Sequence, residues 1–140
     1  MNGFLLDTNV PSELTRPQPQ ASVTEWLEQA ADEQLYLSVV TLGEIVKGIA
    51  ALPESNRRAV LQNWLDDTLK PWFRGRILPV NEPVAERWGI LAAQCRARGT
   101  PLTVADGFIA ATAMVHDLTI VTRNVADFEG LGVSILNPWQ

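Results

Sequence analysis

Cysteine, histidine and tyrosine each occur once in the 140 residues. A lone cysteine forms no intrachain disulfide, which fits a reducing compartment. One Cys and one His cannot build a Cys/His zinc cluster. A single His also excludes His-pair acid–base chemistry and weighs against a Ser-His-Asp site. Basic residues are in the minority, 11 Lys+Arg against 16 Asp+Glu for a formal net charge of −5, which argues against a basic nucleic-acid coat protein. Long apolar runs are missing too. The uncharged stretch Leu35–Gly43 is far short of a membrane span. The opening Met1–Leu14 has no basic leader and is interrupted by Asp7, so no targeting segment is read there and a cytoplasmic location is expected. What remains is a globular composition, 46% hydrophobic and 19% charged, of the size of a single domain spanning residues 1–140. Any catalysis has carboxylates as its natural tools.

Short apolar runs alternate with helical periodicity. Strands are expected at Gly3–Leu6, Leu35–Val40, Arg76–Val80, Leu118–Thr122 and Ser134–Leu136. Helices are expected at Ser22–Ala31, opened by the capping box Ser22-Val-Thr-Glu25, and at Thr41–Ala51. A longer helix is expected at Asn56–Phe73, with Val60, Leu61, Trp64, Leu65 and Leu69 inward. Two more follow, Glu82–Arg98 capped by Asn81 and ended by Gly99, and Thr103–Val115; Val125–Leu131 reads as a turn or short helix. This alternation predicts an α/β fold with a mainly parallel sheet covered on both faces.

In such sheets functional groups gather beyond the carboxyl ends of the strands. Asp7 ends the first strand. Glu44 follows the second, in Thr41-Leu-Gly-Glu44. Asp106 stands at the head of a helix, in Thr103-Val-Ala-Asp106. Asn124 and Asp127 follow the fourth strand. Clustered carboxylates repel one another unless a cation neutralises them. Hard divalent cations take oxygen ligands, and Mg²⁺ commonly uses one or two carboxylates with waters and substrate phosphate oxygens. Such a site hydrolyses phosphodiesters with neither His nor Cys. Glu44, Asp106 and Asp127 also fit helix-capping patterns, and Ser22-Val-Thr-Glu25 has the same form with no chemistry assigned to it. Asp7 caps nothing obvious, although Asp7-Thr-Asn9 suits an Asx-turn.

The blocks Leu5-Leu-Asp-Thr-Asn-Val10, Ser38-Val-Val-Thr-Leu-Gly-Glu-Ile45, Asp106-Gly-Phe-Ile-Ala-Ala-Thr-Ala113 and Val121-Thr-Arg-Asn-Val-Ala-Asp-Phe128 appear in this order along nearly the whole chain. Together they resemble PIN-domain ribonucleases of the VapC type, toxins of type II toxin–antitoxin systems. The resemblance implies a three-layer α/β/α sandwich around a mainly parallel sheet of four to five strands. It also implies Mg²⁺- or Mn²⁺-dependent endoribonuclease activity on RNA. The expected partners are a cognate antitoxin and a second copy of the chain, with a larger assembly on DNA reached through the antitoxin. Carried over by position, Asp7, Glu44 and Asp106 are the core catalytic acids and metal ligands. The fourth position falls to Asp127 or to Asn124. Thr8, Asn9, Ser38 and Thr122 stand where the family keeps small polar groups near the metal, with strand-end hydrogen bonding as the plainer role.

Charge is uneven. Residues 57–98 hold eight basic and four acidic residues, a segment of +4 that leaves −9 for the rest. Nine of the eleven basic residues are Arg, which suits bidentate phosphate contact, though a solvated helix surface explains any single one. Arg123, beside the acids, is the strongest single candidate for touching substrate, with Thr8 and Asn124. Trp26, Trp64 and Trp88 fall on apolar helical faces and are expected in the core; Trp139 is expected to be exposed. Cys95 reads as a packing residue and His116 as a helix C-cap. Pro11–Leu14, Thr41–Ala51 and the apolar side of Asn56–Phe73 are the expected antitoxin surface. A receiver-type phosphotransfer domain would need an acid after the third strand, and a dehalogenase-like phosphatase a second Asp at position 9, which is Asn. The remaining alternative is a PIN-like module that sequesters RNA or a partner protein without cleaving it.

Overall fold

The computed structural model describes residues 2–140. Five short parallel strands form one sheet in the order β3-β2-β1-β4-β5. They are β1 (Phe4–Leu6), β2 (Leu35–Ser38), β3 (Ile77–Leu78), β4 (Thr119–Val121) and β5 (Ile135–Leu136). The helices are α1 (Asn9–Glu13), α2 (Ala21–Gln29), α3 (Val39–Ala50), α4 (Asn56–Trp64), α5 (Lys70–Trp72), α6 (Glu82–Ala97) and α7 (Val104–His116). From β1 the chain works outward to β2 and β3, then returns to lay β4 against the other side of β1. The order reverses between β1 and β4, and the crevice beyond their carboxyl ends is where such sheets bind ligands.

Alternate side chains of each strand feed two cores. Leu5 and Ile120 point to the layer of α6 and α7, where Val84, Leu91, Ile109 and Ala110 are buried. Their neighbours Leu6 and Val121 point to the layer of α1–α5, against Val10, Val23, Ile45, Leu65 and Phe73. This is the expected three-layer sandwich. Among the described residues, no helix is long and apolar enough to cross a membrane.

The strands are shorter than the sequence reading has them, and three helical segments depart from it. Helix α3 begins at Val39 rather than Thr41, because the Ser38 hydroxyl accepts the Val40 N–H at 3.0 Å and caps the helix first. Thr41 is therefore inside the helix, buried, with its hydroxyl unpartnered. Helix α2 starts at Ala21 with Gln20 at its cap, so Ser22 does not form the capping box. The expected Asn56–Phe73 helix opens into a π-helical turn over Leu65–Leu69 before α5. Its inward residues Leu61, Leu65, Leu69 and Phe73 recur every fourth position, and on an ideal α-helix such a row drifts by about 40° per step. The wider π turn takes up that drift. Val60, expected inward, is 60% exposed.

Helices α6 and α7 begin as the sequence indicated. Asn81 accepts the Val84 N–H at 3.2 Å, and Thr103 accepts the Asp106 N–H at 3.2 Å. Gly107, directly after Asp106, lets these helices approach closely: a Cβ there would stand 2.6 Å from Trp88 Cδ1. The Trp88 and Phe108 rings stack beside it at 4.9 Å. Cys95 is buried, as expected.

Candidate active site

Asp7 leaves β1 at the reversal point. Its N–H extends the ladder to Val121 O at 2.9 Å. Its carboxylate is 6% exposed and both oxygens are engaged. The Thr8 N–H donates to Oδ1 at 2.9 Å and the Thr122 hydroxyl to Oδ2 at 2.8 Å. The Asn9 amide lies between them, 3.5 Å from Oδ2 and 3.4 Å from the Thr122 hydroxyl. Thr8 reaches a second acid as well, its hydroxyl donating to Glu44 Oε1 at 2.6 Å. One residue thus ties a carboxylate of β1 to a carboxylate of α3.

Burial pushes the Asp7 carboxyl above the usual carboxylate range, and the negative charges of Asp106 and Glu44 push it further. The hydrogen bonds from Thr122 and Thr8 pull the other way. Asp106, half-buried in the first turn of α7, is also raised, first by burial and then by the charges of Asp127 and Glu44. The Thr103 hydrogen bond opposes this. Among the described residues, no Lys or Arg forms an ion pair with either carboxylate. The sequence-predicted acids therefore share one field: Glu44 acts on both Asp7 and Asp106, and Asp127 acts on Asp106. Among the described residues, no three Asp, Glu, His or Cys side chains converge as a ready-made metal ligand set. An oxygen-only donor set without a counter-cation nevertheless fits Mg²⁺ or Mn²⁺, which complete their coordination with water and phosphate oxygens.

The PIN-domain family model matches residues 4–131. The chain belongs to the PIN-domain family. It is 42% identical to toxin FitB of Neisseria gonorrhoeae over 137 residues, covering 98% of this chain and 99% of that one. It is 40% identical to the VapC ribonuclease Y4jK of Sinorhizobium fredii, covering 98% of each chain. Among solved structures it superimposes on the FitAB complex bound to an IR36 DNA fragment with a TM-score of 0.92, at 40% identity, covering 98% of this chain and 96% of that one.

Other candidate residues of this PIN domain fall into place around the acids. The Asn124 N–H donates to the Thr122 hydroxyl at 2.9 Å, while its side chain is exposed. The Arg123 N–H donates to Asn9 Oδ1 at 3.3 Å, and its side chain extends over the ring of Trp139, 5.7 Å from the centroid. Trp139, expected to be exposed, is partly buried against the α1–α5 core. Trp26, Trp64 and Trp88 pack as expected. Arg76 of the basic segment is structural, its guanidinium donating to the carbonyls of Asp32, Leu35 and Trp72.

Two cavities open beside the acids. On the α6–α7 side, a cavity of about 350 Å³ runs from Asp106 and Asp127 past Leu102 and Thr103 to Arg98. On the other side, a groove of about 160 Å³ lies between α1, α3 and α4, lined by Thr8, Glu44, Ile45, Gly48, Leu61 and Trp64. The sequence indicated the apolar faces of this groove. It gave no sign of Glu13, a buried carboxylate of α1 that accepts the Gln20 N–H at 2.8 Å and pairs with Arg16 at 3.4 Å. A charged residue in a short, proline-broken segment carries no periodicity that would announce burial.

Proposed function

We propose that this PIN domain is the toxin of a toxin–antitoxin pair: an endoribonuclease that hydrolyses RNA phosphodiester bonds with Mg²⁺ or Mn²⁺, in the cytoplasm, until a cognate antitoxin silences it. The observation that carries the reading is the tie at the reversal point of the sheet, where Thr122 and Thr8 clamp both oxygens of Asp7 and Thr8 binds Glu44 as well. The names of FitB and of the VapC ribonuclease Y4jK support it. A module that merely binds has no use for opposed carboxylates.

Asp7 and Asp106 would hold the ion directly, and Glu44 through a water. An ion held there would supply positive charge against that gathering on the phosphate and would ease loss of a proton from the attacking water. The chain's own groups then set the geometry. Thr122 and Thr8 fix both oxygens of Asp7. Thr8 also holds Glu44 Oε1, which leaves Oε2 to orient the attacking water. That water's oxygen bonds to phosphorus as the bond to the leaving ribose oxygen breaks. Asp127 is the fourth acid, acting on Asp106, and Asn124 lends an exposed amide for the substrate. The cavity beside Asp106 and Asp127 has room for the flanking nucleotide.

The antitoxin would lay an apolar segment in the groove between α1, α3 and α4, next to Glu44. A second copy of the chain is the further expected partner, and the solved FitAB structure bound to an IR36 DNA fragment supports an assembly on DNA, reached through the antitoxin. The test is cleavage of a mixed RNA pool by the purified chain with Mg²⁺, with EDTA, and as Asp7→Asn and Asp106→Asn. Cleavage is expected with metal and should drop about 100-fold or more in each variant. Cleavage that persists in EDTA, or in a folded Asp7→Asn variant, overturns the mechanism. Binding of RNA without cleavage would instead favour the sequestering module.

A further inference from the structure

Arg123 follows the residue that clamps Asp7, yet among the described residues it forms no ion pair with any of the acids nearby. Its backbone is held by Asn9 and its guanidinium lies over the indole of Trp139. The indole is in turn fixed. One side packs on the α1–α5 core, and the main-chain N–H of Trp139 donates to Asn137 Oδ1 at 2.9 Å. The contacts run from the apolar core, through an aromatic plate, to an exposed cation.

We propose that Trp139 is a positioning residue for RNA: packed on the α1–α5 core, it seats Arg123 at the carboxyl edge of the sheet so that the guanidinium meets a backbone phosphate beside the scissile one. This rests on the RNA-hydrolase reading. The aromatic seat serves two ends. It keeps the cation from collapsing onto Asp7 and Asp106, which would compete with a metal ion. It also holds a planar, bidentate donor in place, so that less side-chain freedom is lost when phosphate binds. The site then has a direction, with the cavity by Asp106 on the α6–α7 side and the seated Arg123 on the α1 side.

Steady-state cleavage of a short single-stranded RNA with Mg²⁺ would be compared across wild type, Arg123→Ala, Trp139→Leu, Trp139→Phe and the double variant Arg123→Ala/Trp139→Leu. Leucine retains apolar packing without a π face, and phenylalanine retains the face. Trp139→Leu is expected to raise KM about two- to five-fold with kcat little changed, and Trp139→Phe to stay near wild type. Arg123→Ala should raise KM and lower the slope of log KM against log salt by about 0.7, one phosphate's share. In the Arg123→Ala background, Trp139→Leu should add nothing. Equal effects of Trp139→Leu with and without Arg123, or an unchanged KM, overturn the proposal while cleavage itself stands. A wild-type chain that cleaves no RNA would sink the hydrolase reading, and this proposal with it. If Trp139→Leu melts early, Trp139→Met replaces it and should show the same dependence on Arg123.

Discussion

Asp7 is buried, doubly hydrogen-bonded and close to other negative charges, so its ionised form is held in the fold against a cost. Its folded pKa lies above the unfolded value. The native state therefore binds more protons than the unfolded state between those two values, and Asp7 contributes less stability as pH rises through that window. The expected outcome is that wild type gains stability relative to Asp7→Asn as pH falls from neutral towards the ordinary carboxylate range. Paired denaturant melts at several pH values would measure this, and parallel curves for the two proteins would refute it. Cleavage should follow the opposite course, failing as Asp7 and Asp106 become protonated. At this scale the sequence was informative about which acids share one edge of the sheet, because strand ends and their order are visible in it. It was silent on Thr8 as the tie between Asp7 and Glu44, since that contact spans 36 residues. It was equally silent on Arg123 and Trp139, whose meeting depends on where the chain returns after β5.

Capping and close packing decide the next level. Helix α3 starts early because Ser38 and Thr41 both precede an apolar run, and only the geometry at the end of β2 selects between them. The register of α4 to α5 was hidden for a related reason: a row of residues at four-residue spacing is compatible with a straight helix until packing demands one common face. Gly107 shows the reverse case, where one missing side chain sets the separation of two helices. Gly107→Ala would bring a Cβ to 2.6 Å from Trp88 Cδ1 and 2.8 Å from its Nε1. Overpacking of this kind typically costs about 1–3 kcal/mol. A thermal melt should show the loss, cleavage should weaken because Asp106 is the adjacent residue, and Trp88→Phe in the same background should restore part of both. An unchanged melting temperature would show that α6 yields freely.

The whole molecule separates its surfaces. The acids open into a groove on the α1–α4 side and a larger cavity on the α6–α7 side. Gly48 lines the groove, and a Cβ added there meets nothing within 4 Å. Gly48→Leu should therefore fill the groove at little cost to the fold. Affinity for the antitoxin should fall about tenfold or more, with RNA cleavage retained. Co-purification from cells expressing both chains, followed by a cleavage assay, would check it. Unimpaired capture of the antitoxin would place its docking surface elsewhere. The alternation of short strands and helices made the sandwich legible from sequence, and the acids at the strand ends pointed to its working edge. The two cavities were not legible, because each is the space left between elements that are distant in sequence.

The clamp on Asp7 comes from Thr122, 115 residues later, directly after the strand that pairs with β1 on its other side. Synthesis at roughly 5–20 residues per second puts about six to twenty-three seconds between the two. During translation β1 has no β4 beside it, Asp7 lacks its hydroxyl donor, and Asp106 arrives almost as late. A ribosome that stalls or aborts before β4 carries an incomplete catalytic edge. The central placement of the first strand thus makes the catalytic edge a late product of folding: it is complete only once β4 has reached β1.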